Sequence, residues 1–197
     1  MEPRKIKVDL SSAYRLLYPR QVVLVTCADK TGKTNIITLA WSMPVSINPT
    51  MVLVSIAPKR YSYELIEETG EFVVNIPTMD MVKETLLCGR RTGREHDKFE
   101  EAGFTPLPAK TIKPQIIKEC VAHLECRLHQ QITTGDHTLF IGDVLAAYAN
   151  EGTFVKKYDL HKVKPIYHFG GDDFTTISHE IVTPRLRRPR SASQRDK

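Results

Sequence analysis

The feature of this sequence that most constrains its fold is a series of short apolar runs, rich in Val, Ile and Thr, separated by turns that contain Gly, Pro or Asp. These runs predict strands near residues 21–28, 35–41, 45–47, 51–57, 72–76, 117–130, 138–148 and 163–169. Helices are predicted near Tyr14 and over residues 62–69, 80–87 and 96–102. Because the strands do not alternate regularly with helices, the pattern favours a mainly β, closed or split antiparallel barrel with a few short peripheral helices.

Length and charge indicate one folded domain and a basic tail. The chain has 197 residues, 41% of them hydrophobic, which suffices for one core of ordinary size. The formal net charge of +5 arises from the Arg-rich residues 185–197, so residues 1–184 together carry no net charge. We therefore expect a domain over residues 1–184 and a disordered tail over residues 185–197.

The sequence also predicts where the protein resides. The first residues lack the apolar core of a secretory signal, and no apolar run approaches the roughly 20 residues needed to cross a bilayer. We therefore expect a cytoplasmic protein without a membrane partner.

A basic turn joins the predicted strand at residues 51–57 to the predicted helix at residues 62–69. It brings Lys59, Arg60 and Ser62 to the helix start, where Ser62 is expected to be the N-cap. Unpaired N–H groups, the helix dipole and the two cations together favour a phosphate. A capped surface helix with solvated cations is the alternative interpretation.

The run over residues 35–41 places small and hydrogen-bonding side chains beside a large aromatic ring. Thr38, Ala40 and Trp41 suit a flat ligand with an apolar end and a polar edge, as a flavin has. Burial in the protein core explains Trp41 equally well.

The order of the segments resembles a known family. The matching segments are residues 18–26, 35–41, 45–49, 55–60 and 70–77, the tripeptide Asp97-Lys98-Phe99, and residues 135–144, which begin Gly135-Asp136-His137. In this order they resemble the flavin reductase-like family of FMN-binding split barrels, which includes flavoredoxins. The resemblance spans most of the chain and rests on the order and spacing of the segments rather than on one motif.

This resemblance implies a Greek-key-like split β-barrel that binds FMN, and a homodimer with the flavin near the subunit interface. Lys59, Arg60 and Ser62 are expected to hold the phosphate, and Asn75 to support its strand. The full set of expected cofactor-binding residues is Thr38, Leu39, Ala40, Trp41, Ser55, Ile56, Ala57, Lys59, Arg60, Ser62 and Asn75.

Two further residues are candidates for redox chemistry. In the family that the chain resembles, the Gly-Asp-His turn lies near the reactive face of the flavin, which makes His137 the candidate catalytic residue; a turn histidine bonded to backbone is the alternative. Cys88 is interpreted either as an exposed redox thiol at the cofactor mouth or as an inert buried thiol. The four Cys and seven His lack the spacing of metal ligands, so no metal site is expected.

Three functions are compatible with these features. The first is a reductase that passes hydride from NADH or NADPH through FMN to flavin or ferric iron. The second is an electron carrier of the flavoredoxin kind, with a redox protein as its partner. The third is a cofactor-free barrel that binds nucleic acid or an acidic partner through the basic tail. We favour an FMN-binding oxidoreductase over nucleic-acid binding, because the tail lacks aromatic residues between its cations.

Overall fold

Strands make up most of the regular structure in residues 3–184, the part of the chain that the computed structural model describes. The strands are β1 (Arg20–Gln21), β2 (Val23–Ala28), β3 (Thr34–Leu39), β4 (Ser42–Ser46), β5 (Met51–Ile56), β6 (Glu71–Ile76), β7 (Pro106–Leu107), β8 (Ile116–Ile117), β9 (Ala122–Thr134), β10 (His137–Ala149), β11 (Tyr167–Gly170) and β12 (Asp173–Thr175). The α-helices are α1 (Tyr61–Thr69), α2 (Val82–Arg90) and α3 (Lys98–Ala102), and 3-10 helices span Leu10–Leu17 and Met79–Met81.

Seven of these strands form one antiparallel sheet in the order β3, β2, β6, β9, β10, β5, β4. The two edge strands, β3 and β4, are consecutive in the chain and are joined only by Ala40 and Trp41. The sheet must therefore curl until its edges approach each other, although β3 and β4 do not pair within the described residues. The result is a barrel that is open along one seam, and the predicted mainly β, split-barrel fold is confirmed.

Two smaller sheets flank the barrel. One consists of β1, β11 and β12, and the other of β7 and β8. The first is attached directly before β2, where Val22 N donates a 2.8 Å hydrogen bond to Ile166 O. This attachment fixes β11 and β12 beside the barrel.

The strand β2 is buried on both faces, which explains its unbroken apolar sequence. Val25 and Cys27 pack into the main core of the barrel. Leu24 belongs instead to a second apolar cluster with Cys88 of α2 and Phe99 of α3. The helices α2 and α3 therefore cover the outer face of the sheet.

Two predicted strands differ from the structure. The apolar run over residues 117–130 is divided by a turn in which Cys120 N donates to Ile117 O, so that β9 begins at Ala122. The run over residues 163–169 contributes only β11, which starts after Pro165, a residue without the N–H that a strand ladder requires. Both boundaries fall where the sequence itself is interrupted, by Lys118 and Glu119 in the first run and by Lys164 and Pro165 in the second.

The remaining expectations about location are tested only in part. Within residues 3–184, no helix combines the length and the apolar character that a bilayer crossing requires. The predicted tail, and the nucleic-acid binding that it would perform, lie outside the described residues and stay predictions.

Candidate functional site

A cavity of about 780 Å³ lies beside the corner where β3 gives way to β4. Its volume is within the range of about 300 to 1,000 Å³ that is usual for ligand pockets. The ends of β3 and β5 and the start of α1 contribute to its wall. The lining is completed by α2 with the loop that follows it, by the turn before β10, and by the turn between β11 and β12.

The structure brings nearly all of the predicted site residues together around this cavity. The pairing of β10 with β5 aligns Thr138 with Ile56, and this register sets the start of β10 beside the end of β5. The predicted residues that line the cavity are Thr38, Leu39, Ala40, Trp41, Ser55, Ile56, Ala57, Lys59, Arg60, Ser62 and His137.

Asn75 is the predicted site residue that does not line the cavity. It is fully buried in β6, where its Nδ2 donates to Leu24 O at 3.0 Å and its Oδ1 accepts from Ile117 N at 3.1 Å. Its role is to tie neighbouring strands together, so the structure places it outside any direct contact with a ligand in this cavity.

The start of α1 differs from the expectation. The N-cap is Arg60, which has extended backbone angles and no side-chain capping bond, so the prediction of Ser62 as N-cap is wrong. Ser62 lies inside the first turn and is 1% exposed, and its hydroxyl accepts a 2.8 Å hydrogen bond from Asn35 Nδ2. The predicted C-terminal end is confirmed, because Gly70 adopts the left-handed conformation with φ of +68°.

No side chain therefore occupies the capping position at the cavity end of α1. In the first turn of α1, Tyr63 N donates back to Arg60 O, and the N–H groups before it have no partner within the helix. With Lys59 and Arg60 beside them, these donors form a positively charged end of the cavity.

Aromatic and imidazole rings gather at another part of the lining. The rings of Trp41 and His137 lie 4.8 Å apart, and those of Tyr18 and His168 lie 5.3 Å apart. Trp41 Nε1 donates to the Tyr18 hydroxyl at 3.2 Å, which joins the two pairs. Trp41 is thus a wall of the cavity rather than a residue of the closed core.

A hydrogen bond to the neighbouring Asp136 orients the ring of His137. Nδ1 of His137 lies 2.7 Å from Asp136 Oδ1. This hydrogen bond holds the pKa of Asp136 below its ordinary value, so the carboxylate is ionised and accepts a hydrogen bond from Nδ1–H. Nε2 is consequently the ring nitrogen that remains available to a ligand.

Two buried polar atoms in the lining have no hydrogen-bond partner among the described residues. They are Asn35 Oδ1 and Thr85 Oγ1, and their residues are 7% and 0% exposed, respectively. The loop after α2 approaches the first of these closely, since a Cβ added to Gly93 would lie 2.0 Å from Asn35 Oδ1. Only glycine fits there.

Cys88 lies within α2 and is fully buried, so its interpretation as an exposed redox thiol is wrong. Burial raises the pKa of this thiol to about 12, which keeps it protonated and weakly reactive near neutral pH. It contributes to the apolar cluster beneath α2.

Several lining residues have no assigned role in the sequence-based site. Asn35 begins the run over residues 35–41 but received no role there, and Thr85 and Lys98 lie outside the segments in which flavin chemistry was sought. Asn35 and Lys98 do fall within the segments that resemble the family. The family resemblance could therefore have identified them as candidate site residues. Thr85 carries no such signal, because its position depends on how α2 packs on β3.

The comparisons with known proteins decide the family. A family model described as the flavin reductase like domain matches residues 14–173. The chain belongs to the flavin reductase-like family. The span that matches the flavin reductase-like domain contains every predicted site residue.

Individual relatives agree with this membership. A protein of uncharacterised function from Archaeoglobus fulgidus is 36% identical over 179 residues, which cover 91% of this chain and 100% of the relative. A flavin reductase from Pseudomonas putida is 32% identical over 127 residues, covering 64% of this chain and 71% of that protein. Among solved structures, a flavoredoxin from Methanosarcina acetivorans has a TM-score of 0.83 and 31% identity, covering 94% of this chain and 97% of that one.

Proposed function

We propose that this flavin reductase-like protein binds FMN in the cavity and is an oxidoreductase. Hydride or electrons would come from NADH, NADPH or a redox protein, and would pass to a flavin, ferric iron or a protein acceptor. The observation that carries the proposal is the convergence of Lys59, Arg60 and the uncapped start of α1 at one end of a cavity that Trp41 borders. The names of two similar proteins, a flavin reductase and a flavoredoxin, support it.

The chemistry of the lining fits a phosphorylated flavin. The cationic end with its free N–H groups suits a phosphate. Ile56, Ala57 and Trp41 offer apolar surface for a flat ring, and the hydroxyls of Thr38 and Ser55 offer polar contacts. Asn35 and Thr85, whose buried Oδ1 and Oγ1 atoms have no partner among the described residues, belong to the same lining.

When bound, FMN supplies the redox chemistry, and the protein supplies binding, orientation and a dry surface. Trp41 and the adjacent rings exclude water from one side of the cavity. His137 donates from Nδ1–H to Asp136, which leaves its Nε2 directed at the cavity as a hydrogen-bonding atom.

The first experiment is the visible absorption spectrum of the purified protein, followed by anaerobic addition of NADH or NADPH. Bleaching of a flavin spectrum by either nucleotide identifies a reductase. A flavin spectrum that persists favours the electron carrier, with a redox protein as donor. A colourless protein that fails to bind added FMN overturns the proposal.

Replacement of Arg60 by Ala tests the phosphate end. We expect Arg60→Ala to weaken FMN binding about 10- to 100-fold and to leave riboflavin binding nearly unchanged, because only FMN has the phosphate. Fluorescence titration with both flavins measures the two affinities. Arg94→Ala is the control, since Glu64 already holds the Arg94 guanidinium. Equal losses for FMN and riboflavin would count against the assignment of Arg60.

A further inference from the structure

Residues 4–17, which precede the barrel, form an exposed surface that is rich in large apolar side chains. Their 3-10 helix, Leu10–Leu17, contains no buried residue. Leu10 is 87% exposed and Leu16 is 71% exposed, and Ile6 before the helix is 80% exposed. Several large apolar side chains in one short exposed segment are typical of a surface that another protein covers.

The same segment carries a local excess of positive charge. Its exposed cations are Arg4, Lys5, Lys7 and Arg15. Asp9 is the one acidic residue of the segment, so residues 4–17 have a formal charge of +3, although residues 1–184 together carry no net charge. In the described part of the chain, none of these four cations forms an ion pair. Their charge is therefore available to an approaching molecule.

This surface reaches the cavity through Tyr14. The Tyr14 ring packs edge-on against Trp41, with the ring centroids 5.7 Å apart, and against Tyr18 at 5.9 Å. Trp41 and Tyr18 both line the cavity, whereas Tyr14 is 41% exposed and lies outside the lining. A molecule that covers residues 4–17 is therefore within two ring contacts of the cavity.

The charge of the surface discriminates between the proteins that could cover it. A symmetric homodimer centred on residues 4–17 would bring two copies of the same positive charge together. Like charges that face each other across an interface are unfavourable, whereas opposite charges accelerate association and fix its orientation. The surface therefore fits an acidic protein better than a second copy of this chain.

We propose that residues 4–17 are the docking surface for an acidic redox protein that exchanges electrons with FMN in the cavity. The proposal rests on the proposed function and names the chemistry of its protein partner. Two molecules of a reduced one-electron partner, with two protons from solvent, convert FMN to its fully reduced form and leave as two oxidised molecules. Tyr14 and Trp41 are neither oxidised nor reduced; they are the packed rings between the docked partner and the cavity.

A matched pair of triple variants isolates the charge of this surface. The test variant neutralises three exposed cations before the 3-10 helix: Arg4→Gln, Lys5→Gln and Lys7→Gln. The control removes the same formal charge from three exposed lysines outside both residues 4–17 and the cavity lining: Lys118→Gln, Lys156→Gln and Lys157→Gln. The two variants therefore differ in where charge is lost and not in how much.

The probe is a plant-type 2Fe–2S ferredoxin, an acidic one-electron protein, and stopped-flow absorbance measures how fast its reduced form reduces bound FMN. At low salt we expect the test variant to react about 5- to 20-fold more slowly than the wild type, and the control to react within about 2-fold of it. At about 1 M salt, where the Debye length is about 3 Å, all three rates should coincide. Equal rates for test and control at low salt overturn the proposal, as does a difference that high salt does not remove.

A second readout requires no flavin. Trp41 is the sole tryptophan of the chain and contacts Tyr14, so its fluorescence reports on residues 4–17 rather than on the basic residues 185–197. We expect poly-L-glutamate to change this fluorescence, and to do so about 10-fold more weakly in affinity for the test variant than for the control. Equal affinities, or no change in the wild type, overturn the proposal.

Two results separate this proposal from its alternatives. If the protein binds no flavin, the proposed function fails, and the poly-L-glutamate titration still decides whether residues 4–17 bind an acidic chain. Sedimentation of the test variant should give the oligomeric state of the wild type. A change of oligomeric state in the test variant alone would show that the surface joins copies of this chain, which overturns the proposal.

Discussion

Asn75 and His123 form a buried hydrogen-bonded pair between β6 and β9. Asn75 Oδ1 lies 2.8 Å from His123 Nδ1, and the two residues are directly paired across the strands. Burial lowers the pKa of His123 from 6.5 to about 4, so the ring is neutral at pH 7 and Nδ1–H donates to the amide oxygen. Asn75, which was predicted to be a cofactor-binding residue, therefore belongs to the hydrogen-bonded interior of the barrel.

This burial makes stability depend on pH. Between pH 6.5 and pH 4 the unfolded chain takes up a proton at His123 and the folded protein does not. A depressed folded-state pKa gives stability that is fully present above the unfolded value and is lost as pH falls towards the folded value. We expect His123 to account for a loss of about 3 kcal/mol in the free energy of unfolding across this range.

Urea unfolding at pH 7 and pH 4.5 measures the effect. His123→Gln, which keeps a donor for Asn75, should lose markedly less stability on acidification than the wild type. His129→Gln is the control, because His129 is an exposed histidine on the same strand. If His123→Gln and the wild type lose the same free energy, burial of a neutral His123 is not the source of acid sensitivity.

At the scale of elements, β10 connects the cavity to the barrel core. Its pairing with β9 shifts register between Ile141 and Gly142 and again between Val144 and Ala146. Phe72 of β6 approaches the backbone of Gly142 so closely that an added Cβ would lie 2.6 Å from Phe72 Cζ. Glycine is therefore required at this position by contact with a ring rather than by backbone angle.

We expect Gly142→Ala to lower the free energy of unfolding by about 1 to 3 kcal/mol through overpacking. Denaturant unfolding measures the loss. The matched test is Phe72→Leu, whose smaller side chain makes room for the added methyl, so the double variant should lose less than the sum of the two single losses. Strict additivity would show that Phe72 is not what excludes a side chain at position 142.

At the scale of the whole molecule, the cavity depends on how the sheet curls. The edge strands β3 and β4 are connected by Ala40 and Trp41, which line the cavity. The end of β5 and the start of β10, which pair with each other, line it as well. Large apolar side chains are exposed along the β4 edge and the turn after it: Met43 is 51% exposed, Val45 is 42% exposed and Ile47 is 93% exposed. Such a patch is typical of a surface that contacts another protein.

We predict that the protein is a homodimer, as the family resemblance implies, and that this edge takes part in the contact. Sedimentation equilibrium should give about twice the chain mass of 22.4 kDa. Ile47→Asp should shift the protein towards monomer, whereas Val155→Asp, a change at another exposed apolar residue, should not. A wild-type monomer at micromolar concentration would refute the prediction of a dimer.

The mainly β barrel, the end of α1 at Gly70 and the segments that supply most of the cavity lining could all be predicted from the residues alone. These features follow from local causes. Apolar runs fix strands, Gly fixes the helix end, and a basic turn directly after a strand places its cations at the end of that strand wherever the chain goes next. Trp41 and Arg60 could be predicted as site residues because the residues next to them in the sequence form a recognisable strand end and a basic turn.

Which polar residues face the cavity and which are internal depends on the packing of the complete fold. Asn75 and Ser62 are both small, polar and close to predicted strands or turns, yet one ties strands together and the other meets Asn35 at the cavity wall. Lys98 lies 62 residues from its acceptor Ile36, and no local pattern shows that its charge is buried. Burial and hydrogen-bond satisfaction arise from contacts between segments that are distant in sequence, so they are fixed only when the sheet has curled and the helices have packed on it.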